Sequence, residues 1–170
     1  MNDTILRHML RHVPEPLVKE DSMKLHQLSL FLENKPGQIK VPCRVLAKAG
    51  INILTLSLAD TQQFGILRLI VKDWHRAKKT LEEAGCIVNL TEVLALDVTD
   101  KPGGLADLLD LLDKAKLDIE YMYAFTSGTR GHKAALIFRF EDPDAAIKVL
   151  GKHDITIIPA EDLFARLDEK

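Results

Sequence analysis

The sequence contains one short pattern twice, and this repetition constrains the fold more than any other feature. The first copy, Leu-Ser-Leu-Phe-Leu-Glu-Asn-Lys-Pro-Gly, ends at Gly37, and the second, Leu-Ala-Leu-Asp-Val-Thr-Asp-Lys-Pro-Gly, ends at Gly103, 66 residues later. In both copies apolar residues alternate as in a half-buried strand, and Pro-Gly then favours a turn. A helical pattern of apolar residues follows each turn. The chain is therefore predicted to contain two repeats of one structural unit.

The remaining segments of the chain also match between the two repeats. The predicted strands cover 28–32, 51–59, 64–71 and 86–90 in the first repeat and 94–98, 117–125, 134–140 and 155–158 in the second. A helix is predicted after the first and third strands of each repeat, with favourable starts at Asp73 and at Asp142-Pro143. The order β-α-β-β-α-β predicts an α+β fold of two tandem ferredoxin-like units, each an antiparallel sheet with helices on one face.

The predicted domain boundaries follow from these repeats. We divide the chain into an N-terminal extension (1–23) that is expected to be flexible, a first repeat (24–92), a second repeat (93–160) and a C-terminal tail helix (161–170). Pro42 falls near the start of the first helix and has no N–H to donate. We therefore expect this helix to start late or to kink.

The composition argues against several classes of protein. The 170-residue chain has a formal net charge of −2, whereas nucleic-acid binders usually have a basic patch. It has neither an apolar run of the roughly 20 residues that span a bilayer nor the apolar core of a signal peptide. Cys43 and Cys86 lack metal-ligand spacing and are expected to be free thiols in a reducing cytoplasm. The histidines are scattered, and no nucleophile–base arrangement can be assembled. We therefore predict no catalytic residue, metal or cofactor.

The two Pro-Gly turns, which we call corner 1 (residues 34–39) and corner 2 (residues 100–105), are candidate ligand sites. The first N–H groups of a helix have no internal acceptor, and the helix end has a partial positive charge, so a ligand carboxylate fits there. Glycine allows a ligand to approach the backbone closely because it has no Cβ. Asn or Asp before Pro-Gly is also an ordinary turn, so a purely structural role stays open.

Polar residues near the corners are candidates for binding a ligand ammonium group. Asn34 and Asp100 each stand three residues before the glycine of a corner. Asn52 and Asp118 begin the second strand of each repeat, and we expect them to lie beside the same corners. A free amino acid needs both a carboxylate pocket and an ammonium acceptor, and each corner is expected to offer both.

The first repeat, with Leu-Glu-Asn-Lys-Pro-Gly, an apolar helix and Ala-Gly-Ile-Asn-Ile at 49–53, resembles the ACT domain. The second repeat, with Thr-Asp-Lys-Pro-Gly-Gly and Lys-Leu-Asp-Ile at 116–119, is similar to a second ACT domain. The resemblance covers about residues 25–159 and implies a ferredoxin-like fold that binds small effectors, usually amino acids, at interfaces between paired domains. It implies that Asn34 and Asn52, with Asp100 and Asp118 as their equivalents, hold the ligand. The corners and the resemblance together predict these ligand-binding residues: Asn34, Gly37, Gln38, Ile39, Asn52, Ile53, Asp100, Gly103, Gly104, Leu105, Asp118 and Ile119.

The functional hypothesis is a cytoplasmic, non-catalytic regulatory protein that binds an amino acid, forms a homodimer and acts on a partner enzyme of amino-acid metabolism. An oligomerisation or scaffold module without a ligand is one alternative. An acylphosphatase-like enzyme is another, but it needs an arginine where Lys35 and Lys101 stand. Tyr121, Tyr123 and Phe125 make one face of a strand apolar although its other face is apolar too, so we expect burial between the repeats or in a homodimer.

Overall fold

The computed structural model describes residues 20–60, 64–125, 133–153 and 155–168 of the chain. Most of the predicted N-terminal extension and the hairpin loop at 127–131 lie outside the described residues. The helices are α1 (Glu20–Met23), α2 (Lys40–Lys48), α3 (Trp74–Glu83), α4 (Gly104–Lys114), α5 (Pro143–Leu150) and α6 (Ala160–Asp168). The strands are β1 (Lys24–Glu33), β2 (Thr55–Asp60), β3 (Phe64–Ile70), β4 (Val88–Thr99), β5 (Ile119–Phe125), β6 (Lys133–Phe140) and β7 (Ile157–Ile158).

In the described part of the chain, the strands form one seven-stranded sheet in the order β2-β3-β1-β4-β6-β5, and β7 pairs with β4. All paired strands are antiparallel. The first repeat has the spatial order β4-β1-β3-β2 and the second has β7-β4-β6-β5. Both repeats therefore have the same arrangement of last, first, third and second strand, which confirms the predicted pair of ferredoxin-like units.

Strand β4 belongs to both repeats. Its first half, from Val88, pairs with β1, and its second half, up to Thr99, pairs with β6 and β7. The sequence predicted two separate strands here, whereas the structure forms one. The three residues that join them, Thr91, Glu92 and Val93, include no turn former, so the strand continues.

Helices α2 to α5 pack on one face of the sheet, as predicted. Leu28 of β1 packs against α2 and α3, and Leu94 of β4 packs against α4 and α5. Leu28 lies opposite Leu90 in the register of β1 and β4, and side chains of one strand alternate between faces, so Leu90 and Leu94 share a face. The helices of both repeats therefore cover the same side of one continuous sheet.

Helix α6 packs on the opposite face of the sheet. Leu163 is fully buried there against Leu25, Ala95 and Ile137. Arg166 forms a bidentate ion pair with Asp97 of β4, with N–O distances of 2.8 and 3.1 Å. Since Asp97 is almost completely buried, this pair and the apolar contacts together fix α6 on the sheet.

Helix α2 starts late, which confirms the expectation from Pro42. It begins at Lys40, two residues later than the position equivalent to Gly104 at the start of α4. Pro42 is therefore the third helical residue, where an N–H has no helical acceptor. Its ring is buried, so it also contributes to the packing of the first repeat.

Candidate functional site

Corner 1 forms an open turn between the end of β1 and the start of α2. Gly37 has a φ of +88°, which favours glycine, and no atom lies within 4 Å of the position that a Cβ would take. Ile39 is the N-cap of α2 and makes no side-chain hydrogen bond there. By contrast, Asp73 and Asp142 cap α3 and α5 through bonds of 3.0 and 2.9 Å from backbone N–H groups. Among the described residues, therefore, no side chain caps the helix that follows corner 1.

The backbone of corner 1 already uses N–H groups that were expected to receive a ligand carboxylate. The N–H of Lys40 donates to the carbonyl of Gly37 at 3.1 Å, and that of Val41 donates to the carbonyl of Gln38 at 3.2 Å. Pro42, the next residue, has no N–H. The backbone of this helix start thus offers fewer free N–H groups to an anion than the sequence predicts.

A cavity of about 90 Å³ lies against corner 1. Its lining comes from the end of β1, the corner itself and the adjoining strands β2 and β3: Leu32, Glu33, Asn34, Lys35, Gln38, Ile39, Leu58 and Gly65. The carboxylate of Glu33 and the ammonium group of Lys35 are 2.7 Å apart, and both side chains are exposed. One carboxylate, one ammonium group and two side-chain amides therefore surround a small cavity that also has an apolar wall.

Sequence reasoning identified only part of this lining. It selected Asn34, Gln38 and Ile39 but missed the charged pair of Glu33 and Lys35. The signal was present in the string Glu-Asn-Lys, where opposite charges flank the selected asparagine. The contribution of Leu58 could not be seen because it depends on how β2 lies beside the corner.

Corner 2 has the same turn but is packed more tightly. Gly103 has a φ of +89°, and α4 begins directly after it. Gly104 is buried, and a Cβ at this position would overlap the carbonyl oxygen of Thr99 at the end of β4. Its N–H donates to the carbonyl of Lys101 at 3.0 Å. The helix start is therefore held against the strand end by an approach that only glycine allows.

The structure does not bring Asn52 to corner 1 or Asp118 to corner 2 within one chain, so that prediction is wrong. Asn34 precedes α2 and Asn52 follows it, so the two asparagines lie at opposite ends of a nine-residue helix, which is about 13 Å long. Asp100 and Asp118 are separated in the same way by α4. The error arose because the helix runs back along the sheet, so the second strand begins at the end of the sheet that is remote from the corner.

Asn52 instead lies in a separate cavity of about 250 Å³ at the C-terminal end of α2. This cavity is lined by Gly50, Ile51, Asn52, Leu54, Lys72, Asp73 and Arg76. The guanidinium group of Arg76 donates to the carbonyl of Ala49, which is the C-cap of α2. A cation at this end is favourable because the helix dipole is negative there.

Three other predicted site residues have mainly a packing role. Ile53 packs against the core of the first repeat, and Ile119 packs against the core of the second. Leu105 also packs against the second core. Ile39, in contrast, is 39% exposed and lines the corner 1 cavity. Corner 1 is therefore the place where the predicted residues line a cavity together.

Strand β2 is an edge of the sheet and exposes large apolar side chains beside corner 1. Leu56 is 51% and Leu58 53% exposed. Ile39 and Val41 at the start of α2 are exposed as well. Exposed apolar residues on an unpaired edge strand are typical of a surface that another strand covers.

The described residues contain no group of three or more histidine, cysteine or acidic residues that could hold a metal ion. Within the same residues, no helix is both long enough and apolar enough to cross a membrane.

Comparisons with known proteins give one consistent result. The family model described as an ACT domain pair matches residues 23–167. The fold is similar to that of protein BT0572 from Bacteroides thetaiotaomicron, with 38% identity, a TM-score of 0.76, and coverage of 84% of this chain and 96% of that one. No curated protein matches the chain.

Two more distant structures share the fold alone. The regulatory subunit of aspartate kinase from Thermus thermophilus, in its ligand-free form, is 17% identical, with a TM-score of 0.54 and coverage of 76% of this chain and 93% of that one. The corresponding subunit from Thermus flavus is 16% identical, with a TM-score of 0.54 and coverage of 76% and 92%.

Proposed function

The chain belongs to the family of ACT domain pairs, and from this premise we propose that it is a non-catalytic regulatory protein that binds a free amino acid at corner 1. The proposal rests on one observation. Glu33, Lys35, Asn34 and Gln38 surround a single cavity, and they supply an anion, a cation and two amides. An amino acid is a zwitterion, so its ammonium group can pair with Glu33 and its carboxylate with Lys35.

The size of the cavity limits what one chain can hold. Its volume of about 90 Å³ is roughly three times the share of one water molecule in the liquid. This is enough for the charged end of an amino acid and a small side chain. The apolar wall formed by Ile39 and Leu58 favours a ligand whose side chain does not add a further charge.

We further propose that a second copy of the chain completes the site. Asn34 and Asn52 lie at opposite ends of α2, so one chain cannot place both on one small ligand. If two copies pair along their β2 edges in antiparallel fashion, α2 of one copy lies beside α2 of the other with its direction reversed. Asn52 of the second copy then approaches corner 1 of the first, and Leu56 and Leu58 become buried.

The remaining parts of the proposal follow from the family and from the thiols. A regulatory protein acts through a partner, and we propose that this partner is an enzyme of amino-acid metabolism. The affinity between the protein and this enzyme changes when an amino acid occupies corner 1. The free Cys43 and Cys86 favour the reducing cytoplasm. An acylphosphatase-like reaction is disfavoured because the basic residue that lines the corner 1 cavity is Lys35 and not an arginine.

The test is calorimetric titration of the protein with the common amino acids, together with its mass in solution. We expect one or a few of them to bind, and Asn34→Ala to weaken this binding at least tenfold, because it removes hydrogen bonds to a charged ligand. Asp100→Ala, at the equivalent position of corner 2, is the matched control and should leave the affinity unchanged. A stable dimer that binds no amino acid would instead support the scaffold alternative.

A further inference from the structure

Five polar residues form a cluster between the two repeats on the face of the sheet that α2 to α5 leave uncovered. We call it the inter-repeat cluster, and its members are Gln27, Ser29, Arg68, Tyr121 and Tyr123. The first three belong to β1 and β3 of the first repeat, and the tyrosines belong to β5 of the second. Since β5 lies at the far edge of the sheet from β3, the sheet must curl for these residues to meet.

Gln27 is the centre of this cluster and is fully buried. Its Nε2 donates to the hydroxyl of Tyr121 at 2.7 Å and to Ser29 Oγ at 3.0 Å. Its Oε1 accepts a hydrogen bond of 3.0 Å from the hydroxyl of Tyr123. Burial raises the pKa of Tyr123, so this hydroxyl stays protonated and remains a donor. The polar atoms of the buried amide are thus all used, and the contact between the repeats is specific.

Arg68 has no such complete set of partners. Its guanidinium group lies over the ring of Tyr121, with 4.0 Å between its central carbon and the ring centroid. Its Nε is buried and has no hydrogen-bond partner in the part of the chain that the structure describes. Within the described residues, the structure gives Arg68 no ion pair with a carboxylate. A buried N–H of a charged guanidinium group that has no acceptor is unusual in a folded protein. Such a group favours the binding of an anion.

The neighbouring hydroxyl groups also have unused donor capacity. Ser29 lies directly across from Arg68 in the register of β1 and β3, and Ser57 lies across from it on β2. Ser29 and Tyr121 both accept from Gln27, and the hydrogen bonds among the described residues give their own O–H groups no acceptor. Donors from both repeats therefore lie around the guanidinium group, and no carboxylate of the described residues forms an ion pair with it.

We propose that the inter-repeat cluster is a second ligand site, separate from corner 1, which binds a small carboxylate through Arg68. The planar edge formed by Nε and one Nη of arginine matches the two oxygens of a carboxylate, so a bidentate pair satisfies the orphaned Nε. The hydroxyl groups of Ser29 and Tyr121 donate further hydrogen bonds to the oxygens of this carboxylate. Such a ligand touches groups of both repeats and therefore stabilises their contact.

The chemistry of the cluster also selects against a free amino acid. A bound ammonium group needs an acceptor, but Gln27 Oε1 already accepts from Tyr123, and the positive charge of Arg68 repels a second cation. Corner 1, in contrast, has Glu33 to accept an ammonium group. The inter-repeat site should therefore prefer a simple organic acid to the amino acid of the same size.

The test compares acetate and propionate with glycine and alanine as probes, with sodium chloride at equal ionic strength as the reference. Tyr121 lies beneath the guanidinium group, so binding should produce a saturable tyrosine difference spectrum with acetate and propionate and none with glycine or alanine. Arg68→Met should abolish this change or weaken the affinity by roughly tenfold or more, since it removes charge-assisted hydrogen bonds. Arg44→Met, which removes an exposed arginine of α2, is the matched control and should retain it.

Several outcomes would overturn the proposal. They are the absence of a saturable spectrum in the wild-type protein, an equal response to chloride, or an unchanged affinity in Arg68→Met. If Arg68→Met does not fold, Ser29→Ala replaces it and should reduce the affinity while circular dichroism shows a native spectrum. Because the amino acid of corner 1 is measured separately with Asn34→Ala, either site can fail without the other.

Discussion

Corner 1 and corner 2 have the same Lys-Pro-Gly turn but use it differently. The φ angles of Gly37 and Gly103 differ by a single degree, at +88° and +89°. At the next residue the corners diverge, because Gln38 follows the first glycine and the buried Gly104 follows the second. Corner 2 packs its helix onto the strand end, whereas corner 1 starts its helix late and leaves a cavity.

If the proposed function is right, one backbone turn serves packing in the second repeat and ligand binding in the first. At corner 2 the space beside the turn is filled by the main chain of Thr99. At corner 1 a polar side chain and a late helix keep that space open, and charged residues surround it. We infer that corner 2 stabilises the fold of the second repeat, whereas corner 1 binds the ligand.

The largest expected effect tests the packing at corner 2. Gly104→Ala places a Cβ on the carbonyl oxygen of Thr99 and should lower the free energy of unfolding by about 3 kcal/mol, since backbone must move to relieve the overlap. Gln38→Ala, at the equivalent position of corner 1, should change it by less than about 0.5 kcal/mol. Urea denaturation of both variants measures this. Equal losses would mean that the two corners do not differ in packing.

A smaller loss of stability is expected from a variant that weakens the contact between α6 and strand β4. Arg166→Met leaves the almost completely buried Asp97 without its ion-pair partner and should lower the free energy of unfolding by about 2 kcal/mol. The exposed Arg44 on α2 is the control, because Arg44→Met should have almost no effect. If the two variants are equally stable, the ion pair does not hold α6 in place.

The residues that end α2 and α4 offer a test with opposite signs. Gly50 and Lys116 occupy equivalent positions with φ of +68° and +55°, and only glycine adopts this conformation without strain. Lys116→Gly should therefore raise the free energy of unfolding by up to about 1 kcal/mol, and Gly50→Ala should lower it by about 1 kcal/mol. Thermal unfolding of both variants gives the sign. A destabilised Lys116→Gly would show that the lysine side chain has a further role.

The smallest effect concerns pH and His26 of the first repeat. Its ring stacks on Trp74 at 4.3 Å, and burial is the main reason that its pKa is lowered from 6.5, with Glu92 opposing the shift and His75 and Lys24 adding to it. The folded state thus binds a proton at His26 less readily than the unfolded state does. The contribution of His26 to the free energy of unfolding is therefore complete above pH 6.5 and is lost as the pH falls from 6.5 through the lowered pKa of the folded state.

The pH dependence can be isolated by removing the titrating group. His26→Phe keeps the ring but cannot be protonated, so it should lose less stability than the wild-type protein between pH 7.5 and 5.5, as read from the midpoints of urea denaturation. Equal losses in both proteins would show that other groups cause the pH dependence.

Much of the fold could be predicted because it depends on local patterns. Asp73 and Asp142 cap helices as expected, and Pro42 delays the start of α2 as expected. Each of these results follows from the chemistry of one residue and its near neighbours. The repetition of that local pattern then predicted the pair of ferredoxin-like units.

The rest depended on contacts between residues that are distant in the sequence. The hydrogen bond from Gln27 to Tyr121 joins residues 94 positions apart and requires the sheet to curl, which periodicity alone does not encode. The error about Asn52 had the same origin, because the path of α2 decides which end of the sheet that residue occupies. The burial of Gly104 against Thr99 also depends on packing that the sequence does not display.

The central claim is that two copies of the chain share an amino-acid site at corner 1. The most direct test is to combine two variants that each bind the amino acid weakly. Asn34→Ala and Asn52→Ala should each bind the amino acid found by calorimetry at least tenfold more weakly than the wild-type protein does. A purified mixed dimer of the two variants should regain half of the wild-type sites, since one of its two sites keeps Asn34 from one copy and Asn52 from the other. A mixed dimer that does not bind, or an Asn52→Ala protein that binds normally, would contradict the claim.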